Sequence, residues 1–202
     1  MSPGKLGPRF ADAFRFALEV HGGDLRKGTD LPYIGHLLGV ASIVIDAGAS
    51  EDAAVAALLH DTLEDHPAEV TEEQLTERFG RAATAIVVAC SDGDRDEPRT
   101  AATWGRRKQD YLDHLASASN DALLVSLADK LHNLRALLLD LAADGVGTLS
   151  RFSASSEELV WYYTELAAIF TSSPPHRCQA LVDEFVIQTT RFGQIVGSRP
   201  VP

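Results

Sequence analysis

Ala57-Leu58-Leu59-His60-Asp61-Thr62-Leu63-Glu64-Asp65-His66 decides how this chain is read. It continues the apolar run Ala53-Ala54-Val55-Ala56, and the two together read as one buried helix that stops by Pro67. A His-Asp pair followed by a Glu-Asp pair on such a helix is destabilising unless a cation or hydrogen-bond partners compensate. Residues four apart share a helix face, so the pattern stacks His60 over Glu64 and Asp61 over Asp65. That is half of a metal site, and the rest of the chain has to supply the other half.

Composition narrows what the site can serve. The chain has 202 residues, 45% of them hydrophobic and 23% charged, which suits one soluble globular domain over 1–202. Its 18 basic and 29 acidic side chains give a formal charge of −11, which argues against sequence-independent binding to nucleic acid or to an anionic membrane. A small phosphorylated ligand remains compatible, because a few local cations suffice for a pocket. Cys90 and Cys178 are too few for a disulfide framework, and no Cys spacing points to a metal. Without a hydrophobic signal core or a run of transmembrane length, a reduced cytoplasmic setting is expected. Oligomeric state leaves no trace in the sequence.

Helical spacing of apolar residues recurs throughout, and no stretch alternates as a strand would. The expectation is an all-α bundle of roughly nine helices. They run from Arg9 to about His21, from Tyr33 to Ala47, and from a Ser50 cap through the opening stretch. A Thr71 capping box begins the next, to Phe79, and Arg81 to Cys90 follows it. Trp104 to Ala118, Asn120 or Asp121 to about Ala143, Glu157 to Phe170 and about His176 to Ile195 complete the set. Ser91 to Thr103, polar and turn-rich, reads as a mobile loop near a site. The chemistry-bearing core spans about 9–143, and a helical extension over about 150–196 packs against it.

Two further residues complete the opening cluster. His36 lies near the start of an apolar helix, and Asp129 interrupts Val125-Ser126-Leu127-Ala128. Each has a plain alternative: a satisfied core histidine, and a carboxylate paired with Lys130 or an arginine. Together His36, His60, Asp61 and Asp129 offer two imidazoles and two carboxylates, a set that suits manganese, ferrous iron, zinc or magnesium. Glu64 and Asp65, a turn beyond, are placed to orient or deprotonate a water. Arg26-Lys27 and Arg106-Arg107-Lys108 are local cations in an acidic chain and point to phosphate contacts. Asn133 shares a face with Asp129 and could hold a sugar hydroxyl. Trp161-Tyr162-Tyr163 reads as core, and His21, His66, His114 and His176 have no evident partner. No nucleophile elbow, Walker loop or dinucleotide fingerprint occurs.

The order His36, His60-Asp61, Asp129 resembles the signature of the HD superfamily of metal-dependent phosphohydrolases. Three stretches narrow the resemblance to the (p)ppGpp hydrolases, as small stand-alone RelA/SpoT-homologue hydrolase domains. His21-Gly22-Gly23-Asp24-Leu25-Arg26-Lys27-Gly28 with Pro32-Tyr33-Ile34-Gly35-His36 is similar to their Arg-Lys and Pro-Tyr-Ile-x-His segment. Leu59 to Asp65 matches His-Asp-x-x-Glu-Asp, and Leu127 to Arg135 matches Leu-Ala-Asp-x-x-His-Asn. The resemblance implies the HD helical bundle and manganese-dependent hydrolysis of the 3′-pyrophosphate of guanosine tetra- or pentaphosphate. By motif position it implies metal ligation by His36, His60, Asp61 and Asp129, and service to the attacking water by Glu64 and Asp65. Arg26, Lys27, Lys108 and Asn133 would contact the nucleotide. Three positions depart from the family pattern: Leu37 where Pro is frequent, Ser126 where Lys is common, and Ala136 where Thr follows Arg. They leave open the adenine analogue (p)ppApp, or NADPH as the target of a 2′-phosphatase. A reading of another class is a catalytically silent nucleotide-binding sensor.

Overall fold

The computed structural model describes residues 6–91, 100–175 and 178–197. Among them are ten α-helices and one 3-10 helix, and no β-strand. The helices are α1 (Pro8–His21), α2 (Ile34–Asp46), α3 (Glu51–Leu59), α4 (Thr62–Asp65), α5 (Glu72–Phe79) and α6 (Arg81–Cys90). Then come α7 (Ala101–Leu115), α8 (Asn120–Asp144), the 3-10 helix Val146–Arg151, α9 (Ser156–Ser172) and α10 (Gln179–Gly197). The all-α expectation holds. Helix starts follow local chemistry: the hydroxyls of Ser50, Ser119 and Ser155 each accept a first-turn amide, and Thr71 with Gln74 closes a capping box. Thr100 caps α7, which therefore begins three residues before Trp104. Most of the expected loop over Ser91 to Thr103, and the expected start of the last helix at His176, lie outside the described residues.

The expected single helix through His60 is instead two. α3 ends at Leu59, and His60 and Asp61 form a turn before α4. Side chains take the carbonyls that helix amides would otherwise use: His60 Nδ1 bonds Ala57 O at 3.0 Å, and Thr62 Oγ1 donates to Leu59 O at 2.7 Å. Asp61 O accepts from the amides of both Glu64 (3.1 Å) and Asp65 (2.8 Å). Asp65 thus keeps its place one turn after Asp61, while the Glu64 amide turns to Asp61 rather than His60.

Two apolar cores meet along α8. Ala53 to Leu59 are all buried, and their small side chains let α3 pack against α1, α2, α6 and α8 at the centre of the first core. The second core holds residues of α7, α9 and α10, including Phe170, Phe185 and Phe192. α8 serves both: Leu124, Val125 and Ala128 face the first, and Leu123, Leu127, Leu131 and Leu134 the second. Phe185, fully buried, meets Phe170 edge-on at 5.4 Å between ring centroids. Phe185→Ala is expected to lose about 3–5 kcal/mol of stability. Because α8 is shared, urea unfolding of this variant should stay a single transition with an unchanged slope and a lower midpoint; two separated transitions would show the cores to be independent.

Candidate metal centre and cavity

Three separate elements bring the sequence-predicted cluster together. His36 stands in the first turn of α2, His60 and Asp61 in the turn between α3 and α4, and Asp129 in the middle of α8. The entry into α2 is set by a folded-back loop, in which Leu25 and Pro32 form an isolated bridge and the Tyr33 amide donates to Asp24 O at 2.9 Å. Gly28 turns this loop with a φ of 73°. His36 Nε2 lies 3.2 Å from Asp129 Oδ1 and 3.7 Å from Asp61 Oδ2. His60 Nε2 lies 2.9 Å from Asp61 Oδ2 and 3.6 Å from Asp129 Oδ1.

These spacings fit a cation. Ligand atoms held at about 2.1 Å stand about 3.0–3.4 Å apart in octahedral or tetrahedral sites. His36, His60 and Asp129 are all buried with ligand atoms within 4.8 Å of one another, and Asp61 Oδ2 joins them from the half-buried side. The Nε2 atoms of both histidines are buried without a hydrogen-bond partner among the described groups. Two imidazole nitrogens converging on two carboxylates are what a divalent ion would satisfy, displacing the proton that His60 otherwise holds there.

Each of the four is held from behind. Tyr33 donates its hydroxyl to Asp61 Oδ2 at 2.6 Å, and the His60 Nδ1 contact with Ala57 O leaves Nε2 facing inward. Asn133 Nδ2 donates to Asp129 Oδ1 at 2.6 Å, and Lys130 Nζ to Asp129 Oδ2 at 2.7 Å. The plain alternative for Asp129, a pair with Lys130, is therefore present alongside the convergence on the histidines. His36 Nδ1 meets His132 Nδ1 at 2.9 Å. Burial, with His36 and Arg26 nearby, pushes the His132 pKa down to about 4, so it is neutral and can accept the His36 proton. His132 has no role in the sequence reading, because its contact crosses from α8 to α2.

Charges in the cradle oppose one another. Burial lowers the pKa of His36 despite Asp129 beside it. Burial also works against charging His60, but Asp61 and Asp129 outweigh it and raise its pKa well above the usual value. Both carboxylates are pushed up by burial and pulled further down by charge, Asp61 chiefly by His60 and Asp129 chiefly by Lys130. Both stay ionised at neutral pH.

A cavity of about 330 Å³ opens next to the cradle. Among the described residues, five cationic side chains line it, Arg26, Lys27, Lys108, Lys130 and Arg151, with a single carboxylate, Asp140, which pairs with Arg151. Five aromatic rings line it too, those of Tyr33, Trp104, Phe152, Tyr162 and Tyr163. Asn133 joins the cavity to the cradle, its Oδ1 accepting from Arg26 at 3.0 Å while its amide holds Asp129. Lys108 Nζ lies 5.2 Å from the centre of the Tyr162 ring, and Lys27 Nζ 5.7 Å from that of Phe152. Of the Arg106-Arg107-Lys108 run, only Lys108 lines the cavity; Arg107 is buried and Arg106 is an exposed partner of Asp110.

The sequence pattern marks Tyr162 and Tyr163 as core. They are buried, and they also form a cavity wall. Arg151, Phe152 and Trp104 escape sequence reasoning, since nothing local marks a residue whose neighbours come from other helices. Glu64 is half-buried and Asp65 exposed on α4. Among the three departures, Leu37 is in the first core and Ser126 bonds Tyr111 at 2.6 Å in the interior, so only Ala136 lines the cavity.

An all-α bundle with this cradle is that of the HD domain family, whose model matches residues 13–151, and the chain belongs to that family. Over 129 residues it is 42% identical to guanosine-3′,5′-bis(diphosphate) 3′-pyrophosphohydrolase MESH1 of Xenopus tropicalis, spanning 62% of this chain and 68% of that one. A guanosine-3′,5′-bis(diphosphate) 3′-pyrophosphohydrolase of Haemophilus influenzae is 37% identical over 123 residues, 60% of this chain and only 17% of that longer protein. Among solved structures, a metazoan ortholog of SpoT described as hydrolysing ppGpp superposes with a TM-score of 0.70 at 25% identity, covering 90% of this chain and 96% of its own.

Gly39 gives a direct test of the cradle. A Cβ built there would stand 2.2 Å from His132 Nε2, so any larger residue displaces His132 from behind His36. Gly39→Ala is expected to weaken divalent-metal binding about 10- to 100-fold, the usual effect of losing a ligand's orienting partner. Calorimetric metal titration of a variant with an unchanged helical spectrum measures it, and wild-type affinity would release His132 from this role.

Proposed function

We propose that this chain is a manganese-dependent hydrolase of the 3′-pyrophosphate of (p)ppGpp, releasing GDP or GTP and pyrophosphate. One observation carries the reading: the two-imidazole, two-carboxylate cradle adjoins, through Tyr33, Lys130 and Asn133, a cavity lined by five cations and five rings. Phosphates call for the cations, and a purine calls for flat apolar walls. The relatives named for this reaction support the substrate class.

His36, His60, Asp61 and Asp129 would hold the ion, two neutral nitrogens and two anionic oxygens being a set that manganese accepts. Bound there, it would polarise a phosphoryl oxygen and lower the pKa of nearby water. Glu64 takes the proton of the attacking water, and Asp65 keeps that water oriented from the solvent side of α4. The water oxygen bonds to the phosphorus carried on O3′, the P–O3′ bond breaks, and O3′ leaves with a proton. Arg26, Lys27 and Lys108 bind phosphates and the base, and Asn133 holds the ribose while fixing Asp129. Two buried thiols, not joined in a disulfide, support a cytoplasmic setting.

Purified protein loaded with manganese and offered ppGpp, ppApp and NADPH separately is expected to release pyrophosphate from ppGpp fastest. Preference for ppApp, or phosphate release from NADPH alone, would move the assignment to that substrate; no turnover of any would leave the silent sensor. Asp61→Ala should lose the metal of this cradle and the activity with its helical spectrum nearly intact. Glu64→Gln should keep the metal and lose about 100- to 10,000-fold in kcat. A fall in metal content there would make Glu64 part of the cradle instead.

A further inference from the structure

Outside the cradle, a second group of ligating side chains converges. His21 ends α1, Asp24 lies in the loop that carries Arg26 and Lys27, and His66 follows α4, the helix of Glu64 and Asp65. His21 Nδ1 and His66 Nε2 both point at one oxygen, Asp24 Oδ2, at 2.8 and 2.7 Å. The two rings meet edge-on at 4.8 Å between centroids. We propose that His21, Asp24 and His66 form a second divalent-metal site, which takes a zinc-class ion and pins the Arg26–Lys27 loop to the helix bearing Glu64 and Asp65.

Four observations carry this. The three ligand atoms lie within 4.8 Å of one another, the property that also marks the first cradle. Two imidazoles and one carboxylate are a donor set that zinc and its neighbours favour, with water completing the shell. His21 is fully buried, and its ring is turned so that Nδ1, the ligand atom, faces Asp24. Behind His66, Nδ1 lies 3.8 Å from the exposed Glu69 carboxylate, which a small side-chain rotation would bring into the carboxylate–imidazole contact that orients metal-bound histidines.

The geometry needs a small adjustment. Tetrahedral ligands at zinc distances stand about 3.3 Å apart, roughly half an ångström wider than the present hydrogen bonds. Asp24 can supply it, because its side chain is about a third exposed and sits on a loop. That same exposure gives an ion its entry path and a place for water. Tyr33 separates the two groups: its ring lies 5.4 Å from that of His21 and 5.3 Å from that of His36. The Tyr33 amide also donates to Asp24 O. An ion on Asp24 would therefore stiffen the loop, Tyr33 and α4 together.

The alternative is a purely hydrogen-bonded clamp with the same contacts, and metal stoichiometry separates the two. Full-length protein is stripped with chelator, equilibrated with low free zinc and analysed for bound metal. The wild type is expected to hold two equivalents, Asp24→Asn and His66→Gln one each, and Asp61→Ala one. Melting temperature should rise further with the second equivalent in the wild type and not in His66→Gln. Cobalt in place of zinc should give Asp61→Ala a visible absorption band that His66→Gln with Asp61→Ala lacks. One equivalent in the wild type together with one in both Asp24→Asn and His66→Gln would overturn the site, as would two equivalents retained in both of those variants.

Discussion

Asp129 is a carboxylate buried in the middle of a 25-residue helix, and the arrangement around it follows from keeping it satisfied. An isolated charge there would cost several kcal/mol even after relaxation. Two side chains of its own helix, Lys130 and Asn133, and two from neighbouring elements, His36 of α2 and His60 of the α3–α4 turn, surround it. Removing the partner of a buried ion pair typically costs about 3–5 kcal/mol, because it leaves a charge uncompensated in the interior. That requirement holds α2, α3 and α8 in register, and it aims two imidazole Nε2 atoms at the same point.

The same constraint divides the molecule into its working parts. α8 has to run through the centre so that Asp129 can reach α2 and α3, which makes it the wall common to both cores. Beyond Asp129 one edge of it carries Lys130, Asn133, Ala136 and Leu137 along the cavity wall. The second core then does more than pack. By seating α9 it presents Tyr162 and Tyr163 opposite the Arg26–Lys27 loop, turning a cleft beside the cradle into a pocket with two sides.

Much of this was legible where the cause is local. Ser50 and Thr71 cap helices through contacts three residues long, and the apolar spacing of α1, α6 and α10 marks their buried faces. His60, Asp61 and Asp129 stood out because each is costly where it sits, and His36 because it completes the set. The break at His60-Asp61 did not, since both residues keep right-handed backbone angles and only the Thr62 and His60 side-chain bonds reveal it. His21 and His66 lacked partners in the sequence because their shared partner, Asp24, reaches them only after the loop folds back from Leu25 to Pro32. Trp104, Arg151 and Phe152 were silent for the same reason: a cavity wall is a property of several helices at once.

The charge distribution bears on what enters. A chain with a formal charge of −11 repels polyanions at long range, yet five cations gather around one cavity and, among the described residues, only one carboxylate lines it. Long-range repulsion scales with the length of a polyanion, while a short phosphorylated ligand senses mainly the local field. The local field at this cavity therefore suits a short phosphorylated ligand. At the inner end, Arg26 is tied to Asn133 and Asn133 to Asp129, so the group that would meet a sugar is coupled directly to the group that would hold an ion. Ala136, the one departure from the resembled pattern that lines the wall, presents a methyl where that pattern has a hydroxyl, with no change of charge. A loss of that kind weakens discrimination between bases, which depends on single hydrogen bonds, far more than it weakens the grip on phosphates, which is shared among several cations.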